Sequence, residues 1–99
     1  ATALEGKTAF VTGSTDGIGK HTARRLAAEG CTVLLHGRSK QRLEKAVDEI
    51  KRATKNPNVR GYLADFESLE EIRKLGQTVG SENPCIDILI NNAGVFNPK

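Results

Sequence analysis

Apolar positions along the chain alternate between two rhythms. Lys7-Thr-Ala-Phe-Val-Thr12 is a short, nearly continuous apolar run between Gly6 and Gly13, which suits a strand covered on both faces. From Ile18 the period changes: Ile18, Thr22, Ala23, Leu26 and Ala27 recur at helical steps, while Lys20, Arg24 and Arg25 fall elsewhere. That spacing predicts an amphipathic helix over 18–29, with Gly30 placed to end it. Cys31-Thr-Val-Leu-Leu-His36 predicts a second strand. Leu43, Ala46, Val47 and Ile50 mark the inner side of a second helix, with Ser39 as its N-cap. Asn56-Pro57-Asn58 predicts a turn, and Val59-Arg-Gly-Tyr-Leu-Ala64 a third strand weakened by its glycine. Ser68-Leu-Glu-Glu71 has capping-box spacing and opens a helix with Leu69, Ile72, Leu75 and Val79 inward. Cys85-Ile-Asp-Ile-Leu-Ile90 predicts a fourth strand, broken by Asn91-Asn-Ala-Gly94.

Strands alternating with helices imply βαβ units in an α/β, doubly wound parallel sheet. Right-handed crossovers restrict the topology. With strand order 3-2-1-4, the first two helices cover one face and the third crosses to the other. The winding reverses between strands 1 and 4, and ligands of open α/β sheets bind in that crevice, at the carboxyl ends of the strands. The glycine-bearing segments after strands 1 and 4 converge there.

Composition narrows the class. Ninety-nine residues suffice for one domain, and 37% hydrophobic with 27% charged residues is ordinary for a globular chain. Four aromatics without tryptophan argue against an aromatic platform for nucleic acid. The net charge of +3 comes from scattered basic residues, not a stripe. Cys31 and Cys85 show no metal-ligand spacing and are expected to be reduced, buried thiols. No apolar run approaches membrane-span length, and Ala1-Thr-Ala-Leu-Glu-Gly-Lys7 lacks a signal-peptide core. The expectation is an intracellular, cytoplasmic chain.

Three glycines, Gly13, Gly17 and Gly19, follow the first strand within seven residues. Glycines at a strand-to-helix turn let backbone approach a ligand and leave the first helical amides free to face an anion. The helix dipole adds about half a positive charge there, so a pyrophosphate is the natural guest, although a tight turn alone would also use glycines. Gly19, one turn inside, reads as room for close helix–strand packing. Gly6-Lys7-Thr8 echoes the end of a P-loop, but it precedes the strand and is rejected.

Thr12-Gly-Ser-Thr-Asp-Gly-Ile-Gly19, Asp65 at the end of the third strand and Asn91-Asn-Ala-Gly94 together resemble the short-chain dehydrogenase/reductase family. The resemblance covers essentially the whole chain and implies an NAD(P)-binding Rossmann fold. It implies that Gly13, Ser14, Gly17 and Ile18 meet the cofactor phosphates and ribose, with Thr15 and Gly19 in the same loop. Asp65 would receive the adenine amino group, although a helix-entry aspartate would look the same, and the Phe66 backbone would lie beside the ring. Asn92, Ala93 and Gly94 would line the adenosine ribose, while Asn91 ties neighbouring strands.

The end of the second strand bears on the choice of dinucleotide. NAD-preferring members carry an aspartate in the slot that here is Gly37, within His36-Gly37-Arg38-Ser39. A carboxylate would hold both ribose hydroxyls and repel a 2′-phosphate. Arg38 instead offers a planar, permanently charged donor set, and Ser39 a hydroxyl beside a helix N-terminus. NADP(H) over NAD(H) is the expectation. His36 is read as a strand-end histidine without chemistry.

The family's hydride transfer uses a Ser, a Tyr-x-x-x-Lys and a helical Asn downstream of the Asn-Asn-Ala-Gly motif. None lies in these 99 residues: the one tyrosine, Tyr62, has Phe66 at i+4. No Ser–His–Asp set or metal cluster replaces them. The reading is therefore the N-terminal dinucleotide-binding half of a Rossmann domain over 1–99. The parent would transfer hydride between the cofactor and an alcohol or carbonyl, and this part alone would be inactive. The alternative is a non-catalytic dinucleotide-binding or interaction module. An S-adenosylmethionine transferase would want an acid where Gly37-Arg38 stands. A bare edge on strand 4 would favour self-association.

Overall fold

The computed structural model describes residues 4–92. Its elements are β1 (Thr8–Val11), α1 (Gly17–Ala28), β2 (Thr32–Gly37), α2 (Lys40–Thr54), β3 (Val59–Leu63), α3 (Leu69–Glu82) and β4 (Ile88–Ile90). The strands form one parallel sheet in the expected order β3-β2-β1-β4. Phe10 stands opposite Leu34 on one side and Leu89 on the other, and Leu34 opposite Arg60.

Alternation along the central strands feeds two cores. Val11, Val33 and Leu35 point to one face, against Ala23 and Ala27 of α1 and Leu43, Ala46 and Ile50 of α2. Phe10 and Leu34 point to the other, against Leu75 and Val79 of α3. The crossing of α3 to the opposite face is thus the one that strand order and crossover handedness predict. Both central strands read as continuous apolar runs because both of their faces are covered.

The connections explain several polar residues. Gly30 follows α1 in a left-handed conformation (φ +92°), and its amide donates to the Ala27 carbonyl at 3.1 Å. Asn56, in the predicted turn, donates from Nδ2 to the carbonyls of Ala27 and Cys31 at 3.0 and 2.7 Å and accepts from the Asn58 amide. It fastens the end of α2 to the junction of α1 and β2. The glycine that weakens β3 has a packing reason: a Cβ at Gly61 would stand 2.9 Å from Leu43 Cγ, so α2 lies directly on that backbone.

Four local expectations change. β4 begins at Ile88 rather than at residue 85, and Cys85 lies exposed in the loop before it, whereas Cys31 is buried. Leu69 is 82% and Ile18 78% exposed, because each stands in the first turn of its helix, past the end of the covered sheet. The capping box at Ser68 is half formed. Ser68 Oγ accepts from the Glu71 amide at 3.3 Å, but the Glu71 carboxylate accepts from the Asp65 amide at 2.9 Å instead of returning to Ser68.

Candidate functional site

The carboxyl ends of β1, β2 and β3 open into a cleft of about 440 Å3. Its first wall is the loop between β1 and α1. Gly13 (φ +58°) donates its amide to His36 Nδ1 and accepts at its carbonyl from Asn92 Nδ2, both at 2.9 Å. Ser14 is fully buried: its amide donates to the His36 carbonyl at 2.9 Å, and its hydroxyl bonds Val11 O at 2.8 Å and the His36 amide at 2.9 Å. The Ser14 side chain therefore holds the loop to β1 and β2.

Asp16 is the N-cap of α1 but makes no capping bond through its side chain. The first helical bond runs from the Lys20 amide to the Asp16 carbonyl at 3.3 Å, which leaves the amides of the preceding turn without an intrahelical acceptor. Gly17 has φ +59° and open space where a Cβ would stand. Gly19 is the reverse case. A Cβ there would collide with the Gly13 carbonyl oxygen and stand 2.8 Å from Asn92 Nδ2. The room that Gly19 provides is for the loop and for Asn92, not for a strand.

The second wall is the turn from β2 into α2. Gly37 sits so close to Thr15 that a Cβ would strike the Thr15 methyl. Arg38 is exposed on the cleft, and Ser39 caps α2 by accepting from the Arg42 amide at 3.4 Å. Arg42, four residues after Arg38, brings a second guanidinium to the same cleft, and its NH1 lies 4.0 Å from Asp16 Oδ2. Sequence reasoning missed Arg42; its place in the first turn of the helix that Arg38 and Ser39 lead into was the available signal.

The third wall follows β3. Asp65 Oδ1 accepts from the Glu67 amide at 2.9 Å, an Asx turn, while the Asp65 amide is held by Glu71. Phe66 stacks on His36 with ring centroids 4.0 Å apart and 19° between planes. His36 is 4% exposed, and its Nε2 lies 2.9 Å from the Ala64 carbonyl. Burial lowers its pKa below the usual value, against a smaller opposing effect of the Ala64 bond. Read from the sequence as a strand-end histidine without chemistry, His36 has structural bonds that its place on the Leu34 face, one residue before Gly37, could have signalled.

Asn92 brings the end of β4 to the glycine loop, and Thr12 Oγ1 donates to Asn91 Oδ1 at 3.2 Å beside it. Ala93 and Gly94, expected at the ribose, lie outside the described residues. The structure thus gathers Gly13, Thr15, Arg38, Ser39, Asp65 and Phe66 around one cleft, with Gly17 and Ile18 exposed at the adjoining helix start. No group of three His, Cys, Asp or Glu side chains among the described residues could hold a metal ion.

Comparison with known proteins gives a consistent picture. The family model described as short chain dehydrogenase matches residues 7–99. Retinol dehydrogenase 13 of Mus musculus is 44% identical over 93 residues, covering 94% of this chain and 28% of its own length. The uncharacterized oxidoreductase YvaG of Bacillus subtilis is 42% identical over 97 residues, covering 96% of this chain and 34% of its own. Among solved structures, L-sorbose reductase from Gluconobacter frateurii, complexed with NADPH and L-sorbose, superposes with a TM-score of 0.82 at 34% identity. That match covers 92% of this chain and 34% of the reductase. The chain therefore spans about a third of the length of such relatives.

Proposed function

The chain belongs to the short-chain dehydrogenase family, and on that premise we propose that it forms the cofactor-binding part of an NADP(H)-dependent oxidoreductase acting on an alcohol or carbonyl. The observation that carries the choice of NADP(H) is the β2–α2 turn. The Thr15 methyl occupies the space that a side chain at Gly37 would need, so Thr15 would have to shift to admit one, and no carboxylate stands in that slot. Arg38 and Arg42 supply two guanidinium groups to the same cleft.

The residues fit a dinucleotide. Open space at Gly17 and the unbonded amides of the first turn of α1 suit a pyrophosphate, which the helix dipole also favours. Arg38, with the Ser39 hydroxyl, suits the 2′-phosphate of the adenosine ribose by charge-assisted bonds. Arg42 is released to join them at little cost, because its pair with Asp16 is long and exposed, and such pairs contribute about 0–1 kcal/mol. Asp65 and Phe66 face the adenine, with the Asp65 carboxylate oriented by its Asx turn. When bound, the nicotinamide supplies hydride transfer; residues 4–92 bind and orient. The alcohol or carbonyl class agrees with the retinol and sorbose activities in the names of similar proteins.

Arg38→Ala tests this reading. A charge-assisted bond contributes about 1.5–3 kcal/mol, so NADPH affinity is expected to fall roughly 10- to 100-fold. NADH affinity should hardly change. Calorimetric titration of both cofactors decides it, and an equal loss for each removes the assignment.

A further inference from the structure

His36 occupies a junction that binding alone does not explain. Its backbone is bonded to Ser14 in both directions, and its ring is bonded at both nitrogens. Nδ1 receives the Gly13 amide, and Nε2 lies against the Ala64 carbonyl, each at 2.9 Å. Phe66 covers the ring face. Gly13 belongs to the glycine loop, while Ala64 leads directly into Asp65 and Phe66. One imidazole therefore spans the two walls between which the adenosine would lie.

Only one protonation state satisfies both bonds. An N–H donor at Gly13 needs a lone pair on Nδ1, so the proton must sit on Nε2, where it donates to Ala64. The imidazolium would point N–H at N–H and lose the Gly13 bond. From the geometry we infer that His36 is a positioning residue for the cofactor. As neutral imidazole it sets the gap between the glycine loop and the β3–α3 segment, and as imidazolium it gives up the Gly13 amide, while Ser14 and Asn92 still hold the rest of the loop. This inference rests on the dinucleotide reading for its consequence, though not for the latch itself.

The charged neighbours come from every wall of the cleft: Asp16 from the loop, Arg38 from the end of β2, Arg42 from α2, and Asp65 and Glu67 after β3. These three acids and two bases line the cleft, and none of them is among the influences that shift the ring. Burial is the main influence, and it favours the neutral, latching form, placing release below the ordinary histidine midpoint of 6.5.

The test pairs two measurements on the intact protein. Without ligand, 15N NMR should show the Gly13 amide shifting as the His36 ring titrates, with a common midpoint below 6.5. A ring that titrates while Gly13 stays fixed overturns the latch. With ligand, NADPH affinity is compared among wild type, His36→Asn and His36→Phe at each pH, since the cofactor's own phosphate titrates in the same range. Asparagine keeps an acceptor for Gly13 at every pH; phenylalanine keeps the ring stack but offers none. Leaving the half-buried Gly13 amide without a partner costs about 1 kcal/mol, so His36→Phe should bind NADPH roughly 5-fold more weakly at pH 7.5. His36→Asn keeps the Gly13 bond but not the Ala64 bond or the stack on Phe66, so it should bind more weakly than wild type there and close the gap as the pH falls. Full affinity of His36→Phe, or an unchanged wild-type to His36→Asn ratio across pH, overturns the inference. If His36→Phe fails to fold, the wild-type titration and His36→Asn still decide. Should wild type bind neither NADPH nor NADH, the dinucleotide reading falls, while the Gly13 titration judges the latch separately.

Discussion

At the scale of single residues, the cleft is set by what cannot be added. Gly37 must lack a side chain because Thr15 occupies its space, and Gly19 because the Gly13 carbonyl and Asn92 do. The two cases predict different behaviour. The obstacle at Gly37 is one methyl, so Gly37→Ala should cost about 1–3 kcal/mol and be largely rescued by Thr15→Ala. Urea unfolding of the four proteins gives the coupling, and additive losses contradict the contact. The obstacle at Gly19 includes backbone oxygen, so no single substitution should rescue Gly19→Ala. His36 adds a pH dependence. Its folded pKa lies below 6.5, so the unfolded chain binds the proton more readily, and the stability His36 contributes is present above that pH and lost as pH falls. His36→Asn should flatten the fall in unfolding free energy between pH 7.5 and 5; an unchanged slope contradicts the buried neutral ring. These roles were the least legible in the sequence. Gly19 was visible as a close approach but its partner was not, and a histidine at a strand end looks alike whether its nitrogens face solvent or backbone.

At the scale of elements, periodicity carried the helices and strands. Buried positions in β2 alternate between two helix layers, so the apolar run and the crossover rule together place α1 and α2 on one face and α3 on the other. Periodicity failed at the first turns. Leu69 and Ile18 continue the apolar rhythm of their helices, yet both project beyond the sheet that would cover them. Capping was legible in kind and incomplete in detail, since the partner of Glu71 is the Asp65 amide, a bond that depends on where β3 ends. Glu71 consequently links the start of α3 to the β3 wall of the cleft. Glu71→Ala is expected to destabilise by about 1 kcal/mol, in the range of lost caps. It should also weaken binding of either dinucleotide equally, because it loosens Asp65 rather than the phosphate side. A selective loss of NADPH affinity would contradict that assignment.

At the scale of the molecule, strand order and the position of the crevice follow from local patterns alone, because parallel strands with right-handed crossovers admit few arrangements. Two edges of the sheet remain among the described residues, β3 and β4. Ile88 and Ile90 are half-buried and Leu89 is 42% exposed beside a strand with a free ladder side, the kind of edge that recruits another strand. A polypeptide limited to residues 1–99 is therefore expected to self-associate, its sedimentation coefficient rising with concentration; a compact monomer at all concentrations contradicts this. The central claim concerns the crevice itself, where the glycine loop, the two arginines and the β3 exit meet. A crystal structure of the protein with NADP+ tests it most directly. The account predicts diphosphate oxygens within hydrogen-bond distance of the amides that open α1, and the 2′-phosphate against the Arg38 guanidinium. Cofactor density elsewhere, or a 2′-phosphate turned away from Arg38 into solvent, would contradict it.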